Sequence, residues 1–141
     1  MRPPSENGTT ISTIVVDASA FIDTFWPGVL EREIRGALVG KEPVVPAHFD
    51  AEVLSGTRGL ALRSALSPHE IDAALLALDS FPGERFPLPP LTTVAWSHRD
   101  RVTAGDAYYV ALAQYLRCPV VTTDRRLANC GVPGITFVVP G

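Results

Sequence analysis

Four acids in this chain, Asp17, Glu52, Asp106 and Asp124, are of the type and placement that hydrolysis of a phosphodiester requires. Carboxylates gathered in one place repel one another and shift upward in pKa unless a cation joins them. A donor set of hard oxygens without His or Cys selects Mg2+ or Mn2+ over zinc. A cation held there activates water and neutralises charge on a scissile phosphate. Each acid also has a plainer explanation. Asp17 and Asp124 suit N-caps of the helices that follow them. Asp106 stands three residues after Thr103, at capping-box spacing, and Glu52 fits an ordinary helix-border acid. Capping, however, requires neither an acid on an apolar stripe nor several acids on one edge of a sheet. Together the four therefore point to a shared metal site, with Asp17, Asp106 and Asp124 as its ligands.

The elements around these acids explain how they could meet. Thr13-Ile14-Val15-Val16 reads as a strand buried on both faces, ending at Asp17. Ala18 to Ile22 begins a helix at once. A second helix carries Val29, Leu30, Ile34, Ala37 and Leu38, with Pro27 near its start and Gly40 closing it. Pro43 to Pro46 is a short strand, and Pro46 suits the first turn of the next helix. That helix bears Phe49, Val53 and Leu54 with Glu52 at the stripe border, and Gly56 and Gly59 should weaken or bend it. Ser67-Pro68-His69-Glu70 is a capped helix start; Ile71, Ala74, Leu75 and Leu78 form its inner face. Arg85 to Leu88 suits an edge strand, because its proline argues against a central one. Leu91, Val94, Ala95 and Trp96 mark another helix. Thr103 caps a run from Ala104 to Arg117 whose stripe is Asp106, Tyr109, Val110 and Ala113. Pro119 to Thr123 is a strand ending at Asp124, a short helix follows to Asn129, and Ile135 to Val139 is a last strand.

Strands alternating with helices predict an α/β fold, a three-layer α/β/α sandwich with a mostly parallel central sheet. In such folds sites lie beyond the carboxyl ends of the strands, where Asp17 and Asp124 emerge. With 141 residues, 46% hydrophobic and 19% charged, the chain suits a single packed domain over residues 11–141. The polar, proline-bearing opening of residues 1–10 reads as a flexible extension. No apolar run approaches the ~20 residues of a membrane span, and the opening lacks a signal-peptide profile, so a cytoplasmic location is expected. Cys118 and Cys130 have neither zinc spacing nor a disulfide framework. His48, His69 and His98 are scattered, without a nucleophile arrangement. No phosphate-binding glycine loop is present. The net charge of −3 excludes a generic polyanion binder. Lys41 is the only lysine, so phosphate contacts must come from arginines or from metal. Arg125 and Arg126 are candidates. Trp26 and Trp96 read as core or interface anchors.

The segments IVVDASAFID, PAHFDAEVLSG and VTAGDAYYVALAQYLRCPVVTTDRRLA, with a final hydrophobic strand, resemble the PIN-domain family and, within it, VapC toxins of bacterial toxin–antitoxin pairs. The resemblance runs from Ile14 to Val139. It implies a Mg2+- or Mn2+-dependent endoribonuclease in which Asp17, Glu52, Asp106 and Asp124 are the catalytic carboxylates. Glu52 would orient or deprotonate the attacking water, and RNA as substrate rests on this resemblance alone. Ser19 and Thr123 match small hydroxyl residues that line such sites. Gly105 replaces the larger residue often found before the third acid, which alters the local shape of the site. The family further implies a homodimer and a cognate VapB-like antitoxin whose C-terminal segment covers the site. Two other readings fit parts of the pattern: a PIN-like RNA-processing nuclease without an antitoxin, and a non-catalytic α/β binding module. A receiver-like signalling domain fits poorly, because it needs a lysine late in the chain.

Overall fold

A computed structural model describes residues 12–141; the extension expected over residues 1–10 lies outside the described residues. The chain runs β1 (Ser12–Val16), α1 (Ala18–Asp23), α2 (Val29–Leu38), β2 (Lys41–Pro46), α3 (Phe49–Leu62) and α4 (Pro68–Asp79). It continues with β3 (Glu84–Phe86), a 3-10 turn at Pro89–Leu91, α5 (Thr92–Ser97), α6 (Ala104–Leu116), β4 (Val120–Val121), α7 (Arg125–Ala128) and β5 (Phe137–Val138). The five strands form one all-parallel sheet in the order β3-β2-β1-β4-β5. Helices flank it as the alternating pattern predicts.

Burial explains the choice of residues. Ile14, Val15, Val16, Val44, Val45, Val120 and Val121 are all essentially inaccessible, as strands covered on both faces must be. Each proline of β2 is in register with one neighbouring strand only, Pro43 with Ile14 of β1 and Pro46 with Phe86 of β3, so little pairing is lost. Pairing with β3 begins at Val44, after Pro43, and pairing with β1 ends at Val44, before Pro46. Pro46 therefore closes β2 rather than opening the next helix. Ala47 still donates across the ladder to the Phe86 carbonyl, and His48 takes the N-cap position of α3.

Helix α3 runs unbroken through Gly56 and Gly59. A Cβ at position 56 would lie 2.5 Å from Ile22 Cδ1, so Gly56 marks the close approach of α1 to α3 rather than a weak point. The helix stripes are narrower than the sequence pattern suggests. Phe49, Val53, Ile34 and Ala74 are buried, but Val29, Leu54, Leu75, Val94 and both tryptophans are exposed. Neither tryptophan belongs to the core. A domain this small cannot cover every apolar helix position.

Candidate active site at the carboxyl edge of the sheet

The strand order determines where a site can form. From β1 the chain moves through β2 to β3 on one side and returns to β4 and β5 on the other. The order therefore reverses at β1 and β4, and a crevice opens beyond the carboxyl ends of those two neighbours. Asp17 directly follows β1, and Thr122 to Asp124 directly follow β4.

Asp17 stands at the N-cap position of α1 yet makes no side-chain capping bond. Its carboxylate instead turns into the crevice, where Oδ2 accepts from Ser19 Oγ at 2.5 Å and from Thr122 Oγ1 at 2.7 Å. Only 4% of the residue is accessible. Burial pushes its carboxyl up to about 6; the two hydroxyl bonds oppose this, and the charges of Asp106 and Glu52 add to it.

The hydroxyl beside Asp17 belongs to Thr122, which is fully buried. Thr123, the residue expected from the sequence, meets the network through its backbone, its N–H donating to Ser19 Oγ at 3.4 Å. Thr122 Oγ1 also accepts from the Asp124 amide at 3.0 Å, linking the two strand-end acids. Asp124 itself caps α7, its Oδ1 accepting from the Arg126 amide at 2.9 Å, with the Arg126 guanidinium 3.8 Å away. The capping explanation thus holds for Asp124 and fails for Asp17.

Asp106 comes to the site on the first turn of α6. Thr103 Oγ1 accepts from its amide at 3.3 Å, whereas Ser67 and Glu70 close a full reciprocal box at the start of α4. Half-buried, Asp106 is raised above the usual carboxylate range by burial and then by the charges of Asp124 and Glu52. The stripe below it, Tyr109, Val110 and Ala113, is wholly buried and fixes the rotation of α6.

Glu52 rises from α3, and its Oε1 accepts from the Tyr109 hydroxyl at 2.7 Å. Burial and then the Glu52 carboxylate hold that phenol far above its ordinary range, so Tyr109 stays a donor. His48 also approaches Glu52 Oε1, at 3.4 Å. Tyr109, Thr122 and His48 were not singled out from the sequence as partners of the acids. The inward stripe of α6 pointed to Tyr109; nothing local marked the other two. Asp50, adjacent to the candidates in sequence, instead faces Arg85.

Two strand ends and two helix starts thus bring the acids to one edge of the sheet, where Asp17 feels the charges of Asp106 and Glu52, and Asp106 those of Asp124 and Glu52. Among the described residues, no group of three or more His, Cys, Asp or Glu side chains is drawn together closely enough to hold a metal ion by itself. The set nonetheless suits a hard divalent cation by its chemistry. It offers oxygen donors, a buried acid with only hydroxyl partners, and two carboxyls, Asp17 and Asp106, raised by burial and by neighbouring carboxylates. A groove of about 240 Å3 between α5 and α6, lined by Trp96, Arg99, Val102, Thr103 and Tyr108 among others, opens near the start of α6. It contains none of the four acids.

Comparison with known proteins agrees with this geometry. The family model described as PIN domain matches residues 14–132. Ribonuclease VapC12 of Mycobacterium tuberculosis is 37% identical over 116 residues, covering 82% of this chain and 90% of its own. Ribonuclease VapC3 of the same species is 40% identical over 122 residues, covering 82% and 85%. A toxin–antitoxin complex from Klebsiella pneumoniae shares the fold with a TM-score of 0.64 and 20% identity, covering 91% of this chain and 98% of that one. The chain belongs to the PIN-domain family, alongside the VapC ribonucleases.

Proposed function

We propose that this ribonuclease is the toxin of a type II toxin–antitoxin pair, cutting RNA internally at the carboxyl-edge site with help from Mg2+ or Mn2+. The observation that carries the proposal is Asp17: a buried carboxylate at a strand end, bonded to two hydroxyls, with other acids in electrostatic range. Asp17, Asp106 and Asp124 would hold the cation, whose charge would offset that of the scissile phosphate. Ser19 and Thr122 fix the Asp17 carboxylate by occupying Oδ2. Tyr109 fixes Glu52, which would align the attacking water and take its proton. Divalent-metal dependence, general among PIN-domain ribonucleases, supports this division of roles.

The inhibitory partner would be a VapB-like antitoxin encoded nearby. A guanidinium from its C-terminal segment would pair with the clustered carboxylates and compete with the cation. The toxin–antitoxin assembly of the Klebsiella structure supports such a partner. A homodimer fits the exposed leucines Leu54, Leu62 and Leu76 on α3 and α4. Among the described residues no helix is long and apolar enough to cross a membrane. A cytoplasmic site of action agrees with an RNA substrate.

The test is incubation of purified protein with total bacterial RNA, with Mg2+, with Mn2+ or with EDTA, and mapping of new ends by sequencing. Discrete new ends that vanish in EDTA are expected. Intact RNA under all conditions would sink the proposal. Co-purification with a small protein encoded beside it separates a toxin from a processing nuclease.

A further inference from the structure

His48 is absent from the chemistry assigned above, yet its surroundings are the most constrained of any histidine in the chain. It takes the N-cap position of α3, where its carbonyl accepts from the Glu52 amide at 3.0 Å. Its ring does not cap the helix. It reaches across to α6, placing Nε2 2.9 Å from the Gly105 carbonyl oxygen and 3.4 Å from Glu52 Oε1. Both neighbours are acceptors, so Nε2 carries the hydrogen and donates to Gly105. Nδ1 is buried and has no partner. An unpaired lone pair is tolerated there more readily than an unpaired N–H. The ring is held between Tyr108 and Tyr109, with centroids 5.3 and 5.1 Å away.

Gly105 completes the arrangement from the other side. A Cβ at this position would stand 2.8 Å from Glu52 Oε2 and 4.0 Å from His48 Nε2. With a Cβ at this position the Glu52 carboxylate would have to move from where it now lies. Glu52 is thereby enclosed on three sides. Tyr109 binds Oε1, His48 lies against the same oxygen, and the bare backbone of Gly105 faces Oε2. Oε2 is the oxygen that neither Tyr109 nor His48 engages.

We infer that His48 and Gly105 form a latch between α3 and α6 that positions the Glu52 carboxylate, with Oε2 aimed at the reacting water. His48 acts through Glu52 and touches no substrate, so it is a positioning residue. The inference rests on the role of Glu52 set out under Proposed function.

The test uses single-turnover cleavage of total bacterial RNA with Mn2+ and enzyme in excess, counting new ends at the strongest site, alongside thermal melts. His48→Leu should lower the saturating rate about tenfold or more, the scale of a misplaced catalytic group, with the half-saturating concentration unchanged. His48→Gln, which keeps a donor near the Nε2 position, should restore most of the rate. Gly105→Ala should lose rate to a similar degree, because its Cβ displaces Oε2. In a Glu52→Gln background the His48→Leu change should have no further effect, which a merely structural histidine would not satisfy. A wild-type rate in His48→Leu or Gly105→Ala would overturn the latch, as would an undiminished His48→Leu effect in the Glu52→Gln background. Failure of the role of Glu52 itself looks different: Glu52→Gln alone would then cleave at the wild-type rate.

Discussion

Two acids near the same edge of the sheet are treated in opposite ways. Asp50, on the first turn of α3, meets Arg85 in the middle of the edge strand β3. Arg85 Nη2 and Nε donate to its two oxygens at 2.8 and 3.0 Å. The other arm of the guanidinium, Nη1, donates to the Phe81 and Gly83 carbonyls, and the group lies over the Phe81 ring. These bonds hold the Asp50 carboxyl below its usual range. Asp17, just past the end of β1, is buried far more deeply and receives two hydroxyls but, among the described residues, no basic side chain. The structural acid carries its own countercharge. The acid in the crevice is charged only against the cost of burial, and that imbalance is what a metal ion would relieve.

Substitution by the isosteric amide is the strongest way to break this contrast. Asp17→Asn or Asp106→Asn should reduce RNA cleavage at least about a hundredfold, some 3 kcal/mol of transition-state stabilisation. Asp50→Asn should leave the rate of the folded protein within about twofold and act on stability alone. Rates normalised to the folded fraction, read by circular dichroism, make the comparison. Equal losses at positions 17 and 50 would erase the distinction.

The pH dependence of stability should separate the two acids by sign. With its carboxyl at about 6 when folded, Asp17 binds its proton more tightly in the native state than in the unfolded chain. The contribution of Asp17 to stability is therefore largest below its unfolded value of 3.8 and falls as pH rises through 6, by about 3 kcal/mol for this shift. Asp106 acts in the same direction. Asp50, whose pKa is lowered, contributes stability above its unfolded value and loses it as pH falls through its folded one. Urea titrations in EDTA from pH 4 to 8 should show that Asp17→Asn gains stability over the native sequence as pH rises. Mg2+ or Mn2+ should return stability to the native sequence by mass action, about 2.7 kcal/mol at a hundred times the dissociation constant. A constant difference across the range, unmoved by metal, would refute the assignment.

The parallel sheet and the placement of Asp17 and Asp124 at strand ends were legible because β-branched runs end abruptly at acids. The inward rotation of Asp106 was legible from the stripe it heads on α6. Strand order was not legible. Nothing local shows that β4 returns to lie beside β1, although this adjacency creates the crevice. The hydroxyl that reaches Asp17 was assigned one residue late. In a strand of two paired residues, a shift by one reverses the direction of a side chain, so Thr122 and Thr123 exchange roles. The partners of Glu52 were hidden for a third reason: Tyr109 and Gly105 reach Glu52 and His48 across 57 residues of chain.

The Thr122 hydroxyl offers a finer cut through the same contrast. Thr122→Val keeps the shape of the side chain and removes one of two donors to Asp17, together with the acceptor for the Asp124 amide. Cleavage should fall about tenfold, in the range typical of residues that orient a metal ligand. The hydroxyl lowers the Asp17 pKa, so the acid limb of the rate profile should move to higher pH. Thr123→Val should do neither.

The smallest effect should come from the clamp at Asp50, and its size follows from exposure. The side chains of Arg85 and Asp50 are 32% and 43% accessible, so water competes for both charges and an ordinary ion pair there would contribute well under 1 kcal/mol. Bidentate geometry and the two carbonyl bonds raise the cost of truncation. Arg85→Ala should therefore lower stability by about 1–2 kcal/mol, a drop of several degrees in Tm. Asp50→Asn in the Arg85→Ala background should cost little more, because the pair is already broken. Arg85→Lys should recover only part of the loss, since an ammonium cannot span both carboxylate oxygens and the carbonyls at once. If Arg85→Ala instead abolished cleavage in a fully folded protein, the clamp would belong to the catalytic machinery, and the division between a structural and a reactive acid would have to be redrawn around α3.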